Sequence, residues 1–217
     1  ISILNSKPSS QNTKIIKHHL YGLISVRKKF SVGHWLKMVV KKIEKQWKSG
    51  RIPIVVGGTG LYFKALTDGL VKIPDISNNA RTQIRKLHKK IGQKKFFIQL
   101  IKLDPLAKRF VLPSDTQRSM RAYEVKKFTN KSLFQFTKET KSNFNNSVFK
   151  KLFINISREL LRKKIEKRVE KMFSDGTVDE VKKFYKMKVN KELSSNKIIG
   201  IKETKDYLQG KITLIKA

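Results

Sequence analysis

Two groups of residues carry types and spacings that could do chemistry. The first is the turn Gly57-Gly58-Thr59-Gly60. It closes the apolar, β-branched run Ile52-Pro53-Ile54-Val55-Val56 and opens the helical stretch Leu61-Tyr62-Phe63-Lys64-Ala65-Leu66. A glycine turn between a buried parallel strand and a helix bares backbone N–H groups to an anion. Ligands of open α/β sheets sit at such strand ends, and Thr59 adds a hydroxyl there. A plain tight turn gives the same pattern. The turn is not a Walker A loop, because no G-x-x-x-x-G-K-[ST] string occurs in the 217 residues.

The second group is a set of arginines. Lysine supplies 40 of the 50 basic residues, so an arginine in this chain points to a geometric need for its planar fork. Gln117, Arg118 and Arg121 fall on one predicted helix. Gln and Arg make forked contacts to base edges and phosphates. A surface helix with long solvated stems is the plain alternative, as it is for Arg168. His18, His19, His34 and His88 lack metal-ligand spacing, and there is no Cys. No metal site, disulfide framework or thiolate nucleophile is therefore read.

These groups need elements to hold them. Val32, Trp35, Leu36, Val39, Val40, Ile43 and Trp47 follow one buried helix face, with Ser31 to cap the helix and Gly50 to end it. That helix, the 52–56 run as a strand buried on both faces, the glycine turn and the next helix predict a parallel α/β sheet. After Pro74-Asp75-Ile76-Ser77 the texture turns helical. The spacing predicts helices over 78–91, ended by Gly92, over 94–103, ended by Asp104-Pro105 as a cap and first helical position, and from Asp115 to about Phe128. Sheet texture returns at Val148-Phe149 and 152–156. A helix over 158–173 follows, with Leu161, Ile165, Val169, Met172 and Phe173 as its apolar face. Asp175-Gly176 breaks it, and Thr177 with Glu180 predicts a capping box. The expected organisation is an α/β core over 1–76 and 148–217 with a mostly helical insertion at 77–147.

The net charge is +34, and the first 43 residues contain no Asp or Glu. Such a field captures polyanions, although the Lys, Asn, Ile and Phe excess also fits an AT-rich coding sequence. Hydrophobic residues make up 39% of the chain, enough for a core. No apolar run approaches the roughly 20 residues of a membrane span, and no signal-peptide layout opens the chain. A cytoplasmic protein is the default expectation.

The string from Gly50 to Gly69-Leu70, with Ile52-Pro53-Ile54-Val55-Val56-Gly57-Gly58-Thr59-Gly60-Leu61-Tyr62 at its centre, resembles the hallmark "GxxPIxVGGTxLYxxALxxGL" of tRNA dimethylallyltransferases. Other segments resemble that family in order. Lys7-Pro8 and His18-His19-Leu20 resemble "GTAKP…H-x-L", and Phe30-Ser31-Val32 resembles "Y-S-V". Asp104-Pro105 with residues 115–125 resembles "DP…D-x-QRxxRALEV", and residues 158–181 resemble "RxxLxxRIxxRxxxMxxxGxxxEV".

The resemblance implies a fold with a P-loop-NTPase-like, nucleotide-binding (ATP-type) parallel sheet core, here incomplete, and an inserted helical tRNA-binding subdomain. It implies transfer of a dimethylallyl group from dimethylallyl diphosphate to the N6 amine of the adenosine beside the tRNA anticodon. Thr59 would be the catalytic threonine, and Gly57, Gly58, Thr59 and Arg168 would hold the diphosphate, with Thr59 and Arg168 converging on one pocket. Arg81, Gln117, Arg118, Ser119, Met120 and Arg121 would contact the anticodon stem–loop. So would Lys197, Gly200 and Lys202, in a stretch resembling "S-x-R-x-x-G-Y-[RK]-[EQ]". Mg²⁺ would enter with the diphosphate, and the family suggests a monomer. The family's P-loop, its "D-S-x-Q" general-base segment and its closing "R-Q-x-x-W" have no match here. The sequence therefore reads as a fragment lacking both ends, expected to transfer no prenyl group alone. A non-catalytic basic RNA-binding protein, a relic of the enzyme and a P-loop kinase are the competing readings.

Overall fold

Caps and helical periodicity produce nine α-helices in the computed structural model, which describes residues 1–217. In chain order they are α1 (Ser10–Ile15), α2 (Val32–Lys48), α3 (Gly60–Thr67), α4 (Asn78–Leu103), α5 (Thr116–Thr129), α6 (Leu133–Lys138), α7 (Arg158–Ser174), α8 (Thr177–Lys186) and α9 (Ile201–Leu208). Ser31, Ser77, Asp115 and Ser157 each accept a hydrogen bond from a first-turn amide. Each cap satisfies one of the N–H groups that a helix start leaves unpaired. No helix is long and apolar enough to cross a membrane.

The chain forms two compact units, one of residues 1–56 with 150–217 and one of residues 57–149. The sequence reading placed its boundaries at 76/77 and 147/148. The structure groups α3 with the helical insertion, and local packing explains why. The Ser142 hydroxyl donates to the Leu66 carbonyl at 3.3 Å. Gly69 (φ +92) lies so close to the Lys141 carbonyl that a Cβ would fall 2.3 Å from its oxygen, so only glycine fits.

In the second unit, the left-handed backbone of Gly92 (φ 75) breaks α4 into two arms, as its place in the sequence predicts. Ile84 on the first arm and Phe96 and Leu100 on the second share one core with Ala107, Val111, Ala122 and Tyr123. Ile76, Ala80 and Val125 form a second cluster. Asp104 does not cap the turn that follows it. Its buried carboxylate accepts instead from the Ser132 hydroxyl at 2.7 Å.

In the first unit, α8 and α9 supply Val181, Phe184 and Ile201 to a small core. Helix α2 buries Leu36, Val39 and Ile43, while Trp47 stays partly exposed. Two expectations find no counterpart here. The parallel sheet is not seen among these residues, because 52–56 and 152–156 join no ladder. Ile52, Ile54 and Val56 are 78 to 89% exposed and Leu152, Phe153 and Ile154 are 86 to 90% exposed. A strand persists only where a neighbour pairs its N–H and C=O groups, and neither run has one. Likewise most of the apolar face of α7 stays open: Leu161, Ile165 and Val169 are exposed, and only Met172 and Phe173 at its end are half-buried.

The capping box of Thr177 and Glu180 is also not formed. Gly176 is the N-cap of α8, and the Thr177 hydroxyl donates to the Met172 carbonyl. Glu180 turns outward from its helix and accepts from the amides of Ser2, Ile3 and Leu4. Burial pushes the Glu180 pKa up, but the N–H donors of Ile3, Ser2 and Leu4 outweigh it and hold the carboxyl below its ordinary 4.5. A depressed folded pKa means the tether is complete above the unfolded value and is lost as pH falls through the folded one. The NMR amide shifts of Ile3 and Leu4 should therefore titrate with a midpoint below that ordinary value. Glu180→Gln should abolish the step.

Candidate functional site

The glycine turn lies in the second unit, and its residues are exposed. Thr59 is the N-cap of α3, with extended backbone (φ −89, ψ 98), yet its hydroxyl makes no capping bond. Its carbonyl accepts from the Tyr62 and Phe63 amides at 3.0 and 3.4 Å. The Thr59 hydroxyl is thus not spent on capping the helix it opens. Around Gly58 and Gly60 no atom lies within 4 Å of where a Cβ would sit, so a ligand can approach the backbone closely.

Arg168 lies in the first unit, on the exposed side of α7. Its guanidinium donates to the Ser6 hydroxyl. Ser6 sits in a turn with left-handed backbone (φ 47), closed by the Ser6 amide on the Ile3 carbonyl and the Lys7 amide on the Ser2 carbonyl, both at 2.9 Å. The same turn borders a cavity of about 640 Å³ whose wall includes Asn5, Lys7, Tyr21, Phe30, Lys183 and Phe184. The cavity wall carries Lys7 and Lys183 among mostly apolar side chains, and Arg168 is not part of that wall. Ser6 was not anticipated, since a lone serine at a turn carries no spacing signal.

The structure brings two of the expected RNA-contacting arginines together. Arg81 on α4 donates through Nε to Glu124 Oε1 at 3.1 Å, and Arg121 on α5 donates to the same oxygen at 2.5 Å. Both arginine side chains are 39% exposed, against 11% for Glu124. Arg118 is more open and pairs with Asp115 at 3.4 Å, and Gln117 is exposed beside it. Met120 packs against the core. Ser119 is fully buried and accepts from Gln93 at 3.1 Å. It anchors α5 to the Gly92 break rather than facing outward. The role of Glu124 was missed, although its place three residues after Arg121 marks an ion pair on one helix face.

Lys197 and Lys202 are exposed at the approach to α9, in the first unit. Gly200 lies between them with φ +93, and a Cβ there would fall 2.6 Å from Leu4 Cδ2. Its amide donates to Glu203 at 3.0 Å. Gly200 thus sets the turn that presents the two lysines.

The second unit therefore carries two arginines joined by Glu124 and an open glycine turn, and the first carries the exposed Arg168. The family model described as IPP transferase matches residues 1–217, and the chain belongs to that family. A tRNA dimethylallyltransferase of Pelagibacter ubique is 51% identical over 217 residues, covering 100% of this chain and 69% of the relative. One from Rickettsia massiliae is 42% identical over 219 residues, covering 99% of this chain and 59% of the relative. Among solved structures, the tRNA isopentenylpyrophosphate transferase of Bacillus halodurans matches at 27% identity with a TM-score of 0.60, covering 99% of this chain and 66% of that one. The chain thus spans about three fifths to two thirds of its relatives' length.

Proposed function

We propose that the protein carrying this chain transfers a dimethylallyl group from dimethylallyl diphosphate to N6 of the adenosine beside the tRNA anticodon. The observation that carries this reading is the match at 51% identity over all 217 residues to a tRNA dimethylallyltransferase. In the step, the N6 lone pair attacks the first prenyl carbon, the carbon–oxygen bond breaks, and diphosphate leaves with the bonding electrons. The N6 proton passes to a base. The family's "D-S-x-Q" base segment has no counterpart in these residues.

Thr59 donates its uncommitted hydroxyl to the bridging oxygen as charge develops there, and the amides of Gly57 and Gly58 line the same approach. Arg168 holds the departing diphosphate with a bidentate fork. Mg²⁺ is expected only as a companion of the diphosphate oxygens. Arg81, Gln117, Arg118 and Arg121 take the stem–loop backbone and bases, with Lys197 and Lys202 adding charge. The reaction requires the adenine to leave its stack and water to be excluded from the prenyl carbon. A monomer in the cytoplasm suits a soluble tRNA substrate.

The test is direct. Protein expressed from the full reading frame is incubated with dimethylallyl diphosphate and an anticodon stem–loop RNA, and nucleosides are analysed by mass spectrometry. One dimethylallyl unit on the adenosine next to the anticodon is expected. Tight RNA binding with no transfer, unaltered by Thr59→Ala, would instead establish a non-catalytic RNA-binding protein.

A further inference from the structure

We infer that Glu124 is a positioning residue for RNA capture: its shielded carboxylate holds the Arg81 and Arg121 side chains as a preset pair whose outward N–H groups grip RNA phosphates. This rests on the tRNA reading proposed above. The two arginines come from different helices, α4 and α5, and Arg81 stands 43 residues before Glu124 in sequence. No single helix face makes them neighbours. They meet because one oxygen, Oε1 of Glu124, accepts from both. The carboxylate offsets the repulsion between two guanidiniums and is itself mostly covered, so it offers little negative surface to an approaching polyanion.

The donor count favours the same role. A guanidinium has donors on all three nitrogens, and Glu124 engages one nitrogen of each: Nε of Arg81 and Nη1 of Arg121. The remaining donors lie on side chains that are 39% exposed. A fork already fixed in place loses less freedom when it binds phosphate than a free one. Neighbouring residues keep the carboxylate in register. Ala122, Tyr123 and Val125 are buried on either side of it, and Tyr123 packs on Phe96 at 5.0 Å between ring centres.

Simple electrostatics predicts the opposite of positioning, and that opposition gives the test. Deleting a negative charge from a face that binds a polyanion should tighten binding. If Glu124 presets the arginines, Glu124→Gln should instead weaken the affinity of protein expressed from the full reading frame for an anticodon stem–loop RNA. The loss should be on the order of tenfold, with a salt dependence shallower by about one phosphate contact. Unchanged or tighter binding by folded Glu124→Gln overturns the inference. Thermal melts show which variants are folded at the assay temperature. If Glu124→Gln is not, Glu124→Asp is read instead. It keeps the charge but withdraws the carboxylate by one methylene, and the same loss is expected, with unchanged binding again overturning the role. Arg81→Ala and Arg121→Ala separate the two layers of the argument. If both leave affinity intact, the RNA reading of this face fails, and the positioning role fails with it. If both weaken binding while the Glu124 variants do not, only the positioning role falls.

Discussion

Replacing Thr59 with alanine should lower kcat by roughly 10²–10³ while leaving KM for dimethylallyl diphosphate within about threefold. The expectation follows from what the hydroxyl does not do in the folded chain. An N-cap threonine ordinarily spends its oxygen on a first-turn amide, but the Thr59 hydroxyl makes no such bond. Removing it should cost the helix little and the leaving group much. The interaction it supplies grows only as the carbon–oxygen bond breaks, so its loss falls on kcat rather than on ground-state binding. Steady-state kinetics on protein from the full reading frame check this, with Thr59→Ser as the rescue. A matched rise in KM with kcat preserved would assign the residue to uniform substrate binding instead.

Replacing Arg168 with alanine should lower kcat/KM for dimethylallyl diphosphate by roughly 10²–10³. A guanidinium gives a diphosphate two parallel charge-assisted bonds. An alanine gives none, and an anion brought out of water without its partner is expensive. Arg168→Lys restores the charge but not the fork, so it should recover no more than about tenfold of that loss. The Ser6 hydroxyl accepts a hydrogen bond from that guanidinium. The measurement is an initial-rate titration of the prenyl donor at saturating RNA. Equal rates for the arginine, lysine and alanine forms would remove Arg168 from the site.

The parts of the fold legible in sequence are those fixed by local physics. Ser31 and Asp115 cap the helices that their spacing announces. The glycine at position 92 breaks α4 where it should, because its left-handed backbone cannot continue a helix. The 57–60 turn opens a helix as its composition demands. The 52–56 run and the α7 stripe depend on a distant partner, and the structure shows none for either. The 52–56 run has the composition of a strand, but a ladder takes two chains, and none pairs with it. The stripe on α7 has the right period but nothing to lie on. Glu180 was read as part of its own helix start and instead holds residues 2–4, a choice that sequence separation hides. The candidate site divides the same way. The glycine turn and the arginines were legible from residue type, whereas the carboxylate joining Arg81 to Arg121 is visible only once α4 lies against α5.

The bare runs around Ile54 and Phe153 have a consequence for how this chain behaves among its own copies. Each is a short apolar stretch whose hydrated backbone pairs with no neighbour, open to pairing with another copy, although Pro53 blunts the first run. Opposing it is a charge of +34 on every molecule, which keeps copies apart as like-charged colloids do. At about 0.15 M salt that repulsion reaches only some 8 Å, little more than the length of the side chains themselves. The chain is therefore a particle whose dispersal rests on dilute electrolyte. A bound polyanion has two opposed effects on it, neutralising the repulsion while blanketing part of the surface.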